Sequence, residues 1–170
     1  EGGTSRDFSK ARKWAWQNRK ILDGLIDILV DATISFLSLQ AQSGAQTLML
    51  FDSWANAVPA SQRDWLVIKP TRAIIEGVRK NGHNQPIIGF PRGIGEGLVR
   101  YAAESGVDAI SLDQGVDPVW AGQNLPSKMP VQGNLDPLGL LNASVEMFRD
   151  IDHILEALHN RPPIFNLPHE

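Results

Sequence analysis

Val107-Asp108-Ala109-Ile110-Ser111-Leu112-Asp113 is a short apolar run that stops on a carboxylate, and it is one of five such runs in the chain. Before it, Gln46-Thr47-Leu48-Met49-Leu50-Phe51 ends at Asp52-Ser53-Trp54, and Pro86-Ile87-Ile88-Gly89-Phe90 ends at Pro91-Arg92. After it, Met129-Pro130-Val131-Gln132 ends at Gly133-Asn134, and Pro163-Ile164-Phe165-Asn166-Leu167 ends at Pro168-His169. Apolar runs of this length, bounded by Gly, Pro, Asn and Asp, read as strands. Because they are nearly continuous rather than alternating, they suit a parallel sheet covered by helices.

The intervening segments have helical spacing. Phe8, Ala11, Trp14 and Ala15 form a stripe behind Ser5 or Asp7 as the start of a first helix. Over 20–42, Ile21, Leu22, Leu25, Ile28, Leu29, Ala32, Phe36, Leu37 and Leu39 predict a long helix with a broad buried face, stopped at Gly44. A helix is expected over 61–80, where Pro70 predicts a kink or two shorter helices. Another precedes Ser105-Gly106, a short one uses Pro118-Val119-Trp120-Ala121, and the last runs over 144–158 with Ser144 and Met147 at its start. Its buried side is expected to carry Ile151, Ile154, Leu155 and Leu158.

Composition narrows the function. The 170 residues allow one domain with a substantial core, and 42% hydrophobic against 21% charged residues fits a folded protein. Sixteen Lys and Arg against 19 Asp and Glu give a net charge of -3, which argues against a nucleic-acid partner. The absence of cysteine excludes disulfides, a thiolate nucleophile and Cys-containing metal sites. Apolar stretches broken by Asp, Gln or Ser predict no membrane span, and the expected location is the cytoplasm. Glu1-Gly2-Gly3 lacks the pattern of a signal peptide, and a chain without an initiator Met is processed or part of something longer.

In a parallel order, the strand ends gather Asp52-Ser53, Arg92, Asp113, Gln132-Asn134 and His169 on one face. Ser53 suits a hydrogen bond to a carboxylate or, more simply, a cap. Arg92 carries a donor fork that fits carboxylates, or pairs with an acid such as Asp113. Gln132 and Asn134 either contact ligand or satisfy turn backbone, and Asp136-Pro137 reads as a turn or helix start. Trp54, Trp65 and Trp120 are candidates to line a flat cleft, with core packing the plainer role for all five tryptophans. His83, His153 and His159 show no metal-ligand spacing. Gly93-Ile94-Gly95-Glu96-Gly97 is a weak phosphate-loop signal that a tight turn also explains.

The ordered strand endings resemble the uroporphyrinogen decarboxylase family. The resemblance is carried by Glu1-Gly2-Gly3 before Phe8-Ser9-Lys10-Ala11, by Leu50-Phe51-Asp52-Ser53-Trp54-Ala55, by Ile87-Ile88-Gly89-Phe90-Pro91-Arg92-Gly93, by residues 106–113, and above all by Gln132-Gly133-Asn134-Leu135-Asp136-Pro137. It implies an α/β fold, part of a (β/α)₈ barrel, with 1–170 as the C-terminal portion, strands four through eight present and the early strands absent. It implies decarboxylation of uroporphyrinogen III, four acetates becoming methyls to give coproporphyrinogen III and carbon dioxide, with no cofactor and no metal. The implied partners are an anionic porphyrinogen and, for the complete protein, a second copy in a homodimer. Ser53 and His169 match substrate-binding positions of the family, whereas Arg92, Asp113, Gln132 and Asn134 are site-lining candidates from their strand-end positions alone. The family's terminal Asn-Leu-Gly-His-Gly stands here as Asn166-Leu167-Pro168-His169-Glu170, so both glycines flanking the histidine are replaced. Because an arginine, an aspartate and a tyrosine of the family site belong to the earlier strands, the isolated chain is expected to be poorly active. The alternatives are a non-catalytic partial barrel or interaction fragment and, less well supported without cysteine, a relative that performs corrinoid-dependent methyl transfer.

Overall fold

A computed structural model of the chain describes residues 7–142 and 144–166. It begins with helices α1 (Ser9–Gln17) and α2 (Arg19–Gln42), followed by strand β1 (Leu48–Asp52). Two 3₁₀ turns and a π-helical turn (Asp64–Ile68) lead into α3 (Lys69–Lys80) and then β2 (Ile87–Pro91). The remaining order is α4 (Gly97–Glu104), β3 (Ala109–Ser111), α5 (Pro118–Asn124), β4 (Val131–Gln132), α6 (Pro137–Asn142), α7 (Val145–Ala157) and β5 (Pro163–Ile164).

The five strands form one parallel sheet in the order β1-β2-β3-β4-β5. A parallel sheet wound in a single direction keeps its crossovers on one face. Side chains show that division. Leu48, Ile87, Ile110 and Val131 join Leu37, Val78, Leu98, Tyr101, Ala121, Ile154 and Leu158 of the helical layer in one buried core. Each such Leu or Ile removed from water contributes about 1.5–3 kcal/mol. The opposite face carries Met49, Phe51, Phe90, Ser111 and Gln132, which border a cleft instead.

Local chemistry explains the turns. Gly44, at φ +99°, follows α2 in a conformation that a side chain would resist, as the sequence predicts. Pro70 sits in the first turn of α3. It has no N–H to give the carbonyl of Leu66, and the chain takes a widened π turn ahead of it rather than a kink within the helix. Asp117 caps α5 by accepting the N–H groups of Val119 and Trp120 at 2.7 and 3.3 Å. Ser144 caps α7 through the N–H of Met147 at 3.3 Å. Arg79 ties the layers together: it donates to Asp108 at 2.6 Å, and Asp108 also accepts the Ile87 N–H at 2.8 Å.

Helix α2 departs from expectation. Its buried residues are Leu37, Ser38 and Ala41, and it meets α3 where Ile34 sits over Gly77. Ile21, Leu25, Ile28, Leu29, Phe36 and Leu39 are exposed, from 45% at Leu25 to 66% at Ile28. The apolar spacing is real, but among the described residues no element covers that side. Leu155 of α7 is likewise 41% exposed, whereas Met147, Ile154 and Leu158 carry the buried contact. No helix among the described residues is long and apolar enough to cross a membrane.

Beneath β2 lies Tyr101, 1% exposed, whose phenol occupies the space that a side chain at Gly89 would fill. Burial pushes the Tyr101 hydroxyl up to about 12, helped by the nearby Asp52 and opposed by a hydrogen bond with Thr71. Because the folded value lies above the unfolded one, the stabilisation is complete below pH 10 and is lost as pH rises through about 12, amounting to about 2–3 kcal/mol. Tyr101 is the only tyrosine, so phenolate absorbance reads it directly. Alkaline titration is expected to show phenolate appearing together with unfolding near pH 12, and Tyr101→Phe to flatten the loss of stability between pH 10 and 12. A free titration near pH 10 in the folded protein would contradict this packing.

Candidate functional site

Side chains alternate across a strand, so every second residue of each strand and of its continuation faces away from the helices. Met49, Phe51 and Ser53 do so from β1, Phe90 and Arg92 from β2, Ser111 and Asp113 from β3, and Gln132 and Asn134 from β4. With Asn166 after β5, they line a cleft of about 570 Å³ at the C-terminal ends of the strands. Asp52 is out of phase with them. It does not line the cleft, and burial raises its carboxyl above the usual range, opposed by the Trp54 N–H.

The floor of the cleft is apolar. Phe51 and Phe90 meet edge to face, centroids 6.0 Å apart, and Phe51 is 55% exposed. Next to them Gln132, 8% exposed, donates from Nε2 to Ser111 Oγ at 3.4 Å and lies 3.9 Å from Met49 Sδ.

The rim is polar and tied together. Asp113 accepts the N–H of Gly93 at 2.7 Å and the N–H of Gly115 at 2.9 Å. Asn134 Nδ2 donates to the carbonyls of Asp113 at 2.9 Å and Val116 at 2.6 Å. Three successive strand ends are thereby fixed to one another. Gly133, at φ +103°, allows this approach, because a Cβ there would lie 2.8 Å from the Leu112 carbonyl oxygen. Two buried acceptors, Asn134 Oδ1 and Asn166 Oδ1, have no donor among the described residues.

Comparison with known proteins gives this rim a lineage. The family model described as uroporphyrinogen decarboxylase (URO-D) matches residues 1–170. The chain belongs to the uroporphyrinogen decarboxylase family. A protein of Maricaulis maris (strain MCS10) named uroporphyrinogen decarboxylase is 46% identical over 169 residues, covering 99% of this chain and 49% of its own length. Proteins with the same name from Novosphingobium aromaticivorans and Sphingopyxis alaskensis are 42% and 44% identical over 168 residues, again 99% of this chain and 49% of theirs. The chain thus spans about half the length of the curated relatives that it matches.

Within this family member, Ser53, Arg92, Asp113, Gln132 and Asn134 all line the same cleft. His169 falls outside the described residues. Ser53 is exposed there, and its hydroxyl caps no turn among the described residues. The alternative Arg92–Asp113 ion pair does not form, because the Asp113 carboxylate is taken up by backbone amides. Asp136 does start a helix, accepting the Leu138 N–H at 3.0 Å. Gly93 and Gly95 take φ of +73° and +53° in the turn before α4, so the glycine cluster serves a turn.

None of the three tryptophan candidates lines the cleft, and the plainer packing role holds for Trp120. Trp54 packs edge to face on Phe8, Trp65 donates to Asp23 at 2.5 Å under the Arg19 guanidinium, and Trp120 packs against the core. The aromatic surface comes from Phe51 and Phe90, and the strand alternation that places them there was the signal available in the sequence. His153 borders a smaller cleft of about 220 Å³ with Asp150, and His159 Nδ1 lies 2.6 Å from the Glu156 carbonyl. Among the described residues, no group of three His, Asp or Glu could hold a metal ion.

Asn134→Leu keeps the branching at Cγ but leaves the Asp113 and Val116 carbonyls without their donor. The expected cost is about 1–3 kcal/mol, read by chemical denaturation. Unchanged stability would show that these two bonds do not secure the rim.

Proposed function

We propose that this chain is the C-terminal half of a barrel that decarboxylates uroporphyrinogen III to coproporphyrinogen III. The observation that carries the reading is the match to the family over the whole chain, combined with a cleft at the strand ends that Ser53 lines. Four times over, an acetate side chain loses carbon dioxide and its methylene carbon gains a proton. Protonation of an electron-rich pyrrole lets the ring accept the electron pair as the carboxylate leaves. What the protein must supply is therefore a placed proton and stabilised charge rather than a nucleophile.

The cleft suits such a substrate. The Phe51 and Phe90 edges offer an apolar surface to a large ring. Ser53 and His169 are the assigned substrate contacts. Strands β1 to β5 correspond in this reading to the fourth to eighth strands of the barrel. The remaining strands pack beside β1 and cover the apolar side of α2, and two complete barrels form the homodimer. Such a division makes the 170 residues poorly active alone.

A fusion of this chain to the part of the Maricaulis maris relative that it does not match tests the reading. The fusion is expected to release carbon dioxide from uroporphyrinogen over many turnovers, while the chain alone gives little or no turnover. Multi-turnover decarboxylation by the chain alone would overturn the half-site assignment. A folded fusion without decarboxylation would overturn the reaction.

A further inference from the structure

Resting on the carboxylate-rich substrate class of that reading, we infer that Arg92 forms a carboxylate-binding subsite in the cleft and that Asp113 is its positioning residue. Arg92 is the one cation among the described residues lining the cleft. Other arginines are engaged: Arg72 with Glu104, Arg79 with Asp108, and Arg100 with Asp64 and Glu104. The Arg92 guanidinium has no ion pair or hydrogen bond among the described residues, and its side chain is exposed toward the cleft. A planar donor fork left unpaired beside an apolar floor is suited to two-point contact with a carboxylate.

The backbone beneath it is held at three points. The Arg92 N–H donates to the Asp52 carbonyl at 3.1 Å, and the Arg92 carbonyl accepts the Asn56 N–H at 3.1 Å. The next N–H, that of Gly93, goes to the Asp113 carboxylate at 2.7 Å. Gly93 is at φ +73°, and a Cβ there would come within 2.8 Å of Asn56 Cβ, so the turn accepts only glycine without rearrangement. A flexible side chain thus rises from a fixed base. That arrangement lowers the ordering cost of binding.

Ser53 stands beside this base. Asp52 and Pro91 are register partners, so Ser53 and Arg92 are the next residues on neighbouring strands, about 5 Å apart along the hydrogen-bonding direction. One carboxylate can then meet the fork of Arg92 and the hydroxyl of Ser53 together. The two acids of the lining oppose an anion less than free carboxylates would, because Asp113 accepts two backbone N–H groups and Asp136 accepts one.

The test uses the chain labelled with nitrogen-15 and follows the arginine Nε–H resonances during titration with uroporphyrin, the stable oxidised macrocycle. Benzene-1,3,5-tricarboxylate serves as a carboxylate probe without the macrocycle. The resonance missing from Arg92→Gln is expected to shift saturably with both probes. Uroporphyrin affinity is expected to fall about tenfold or more in Arg92→Gln, as for loss of a charge-assisted contact, and to recover in part in Arg92→Lys. Asp113→Asn cannot accept both amides, and is expected to weaken binding about three- to tenfold with dispersed amide signals retained. In the fusion enzyme, Arg92→Gln is expected to raise KM about tenfold with kcat within about twofold.

An unmoved Arg92 resonance, or uroporphyrin affinity within twofold of the parent in a folded Arg92→Gln, overturns the subsite. Unchanged affinity in Asp113→Asn overturns the positioning role. If the resonance shifts while the fusion fails to decarboxylate, the subsite stands and the reaction assignment falls. Decarboxylation with an unchanged KM in Arg92→Gln makes the subsite fall alone.

Discussion

Parallel strands paired in chain order place every strand end on one rim and every crossover helix on one face. The rest of the structure depends on that constraint. One side of the sheet acquires a core with Leu48, Ile87, Ile110 and Val131 at its centre. The other is released from packing and presents Phe51, Phe90, Arg92 and Asn134 to a cleft. Distant residues become neighbours because the sheet advances by one strand at each crossover.

The rim itself is held by charge-assisted and amide bonds rather than by apolar packing. Asp113 accepts Gly93 and Gly115, and Asn134 reaches back to the Asp113 and Val116 carbonyls. These contacts connect the ends of β2, β3 and β4, none of which is adjacent in sequence. Such a network fixes geometry where hydrophobic burial cannot, since the groups involved border the cleft. Arg92 stays available because its obvious acid is occupied elsewhere.

The strands, their order of appearance and the cap at Ser144 were legible because they rest on local patterns: apolar runs, turn residues and a side chain that accepts a nearby N–H group. The rim residues were legible as strand endings. What could not be read was the partner each side chain selects. Arg92 and Asp113 are complementary in sequence, yet the closer claim on Asp113 comes from two backbone amides. Trp54 and Trp65 attracted attention by size, whereas the phase of the strand brings Phe51 and Phe90 inward. The apolar spacing of α2 predicted a broad buried face, but Ile21, Ile28 and Phe36 find no cover among the described residues. Periodicity reports an apolar face and not what lies against it.

An exposed apolar helix side beside β1, a rim at the strand ends and a match spanning about half of each relative fit one account, in which the inner face of this sheet is part of a tetrapyrrole site. The most direct measurement is a crystal structure of the fused protein with coproporphyrinogen or its oxidised form bound. The account predicts the macrocycle against Phe51 and Phe90, with a propionate at Arg92 and Ser53. A macrocycle bound outside this cleft would contradict it.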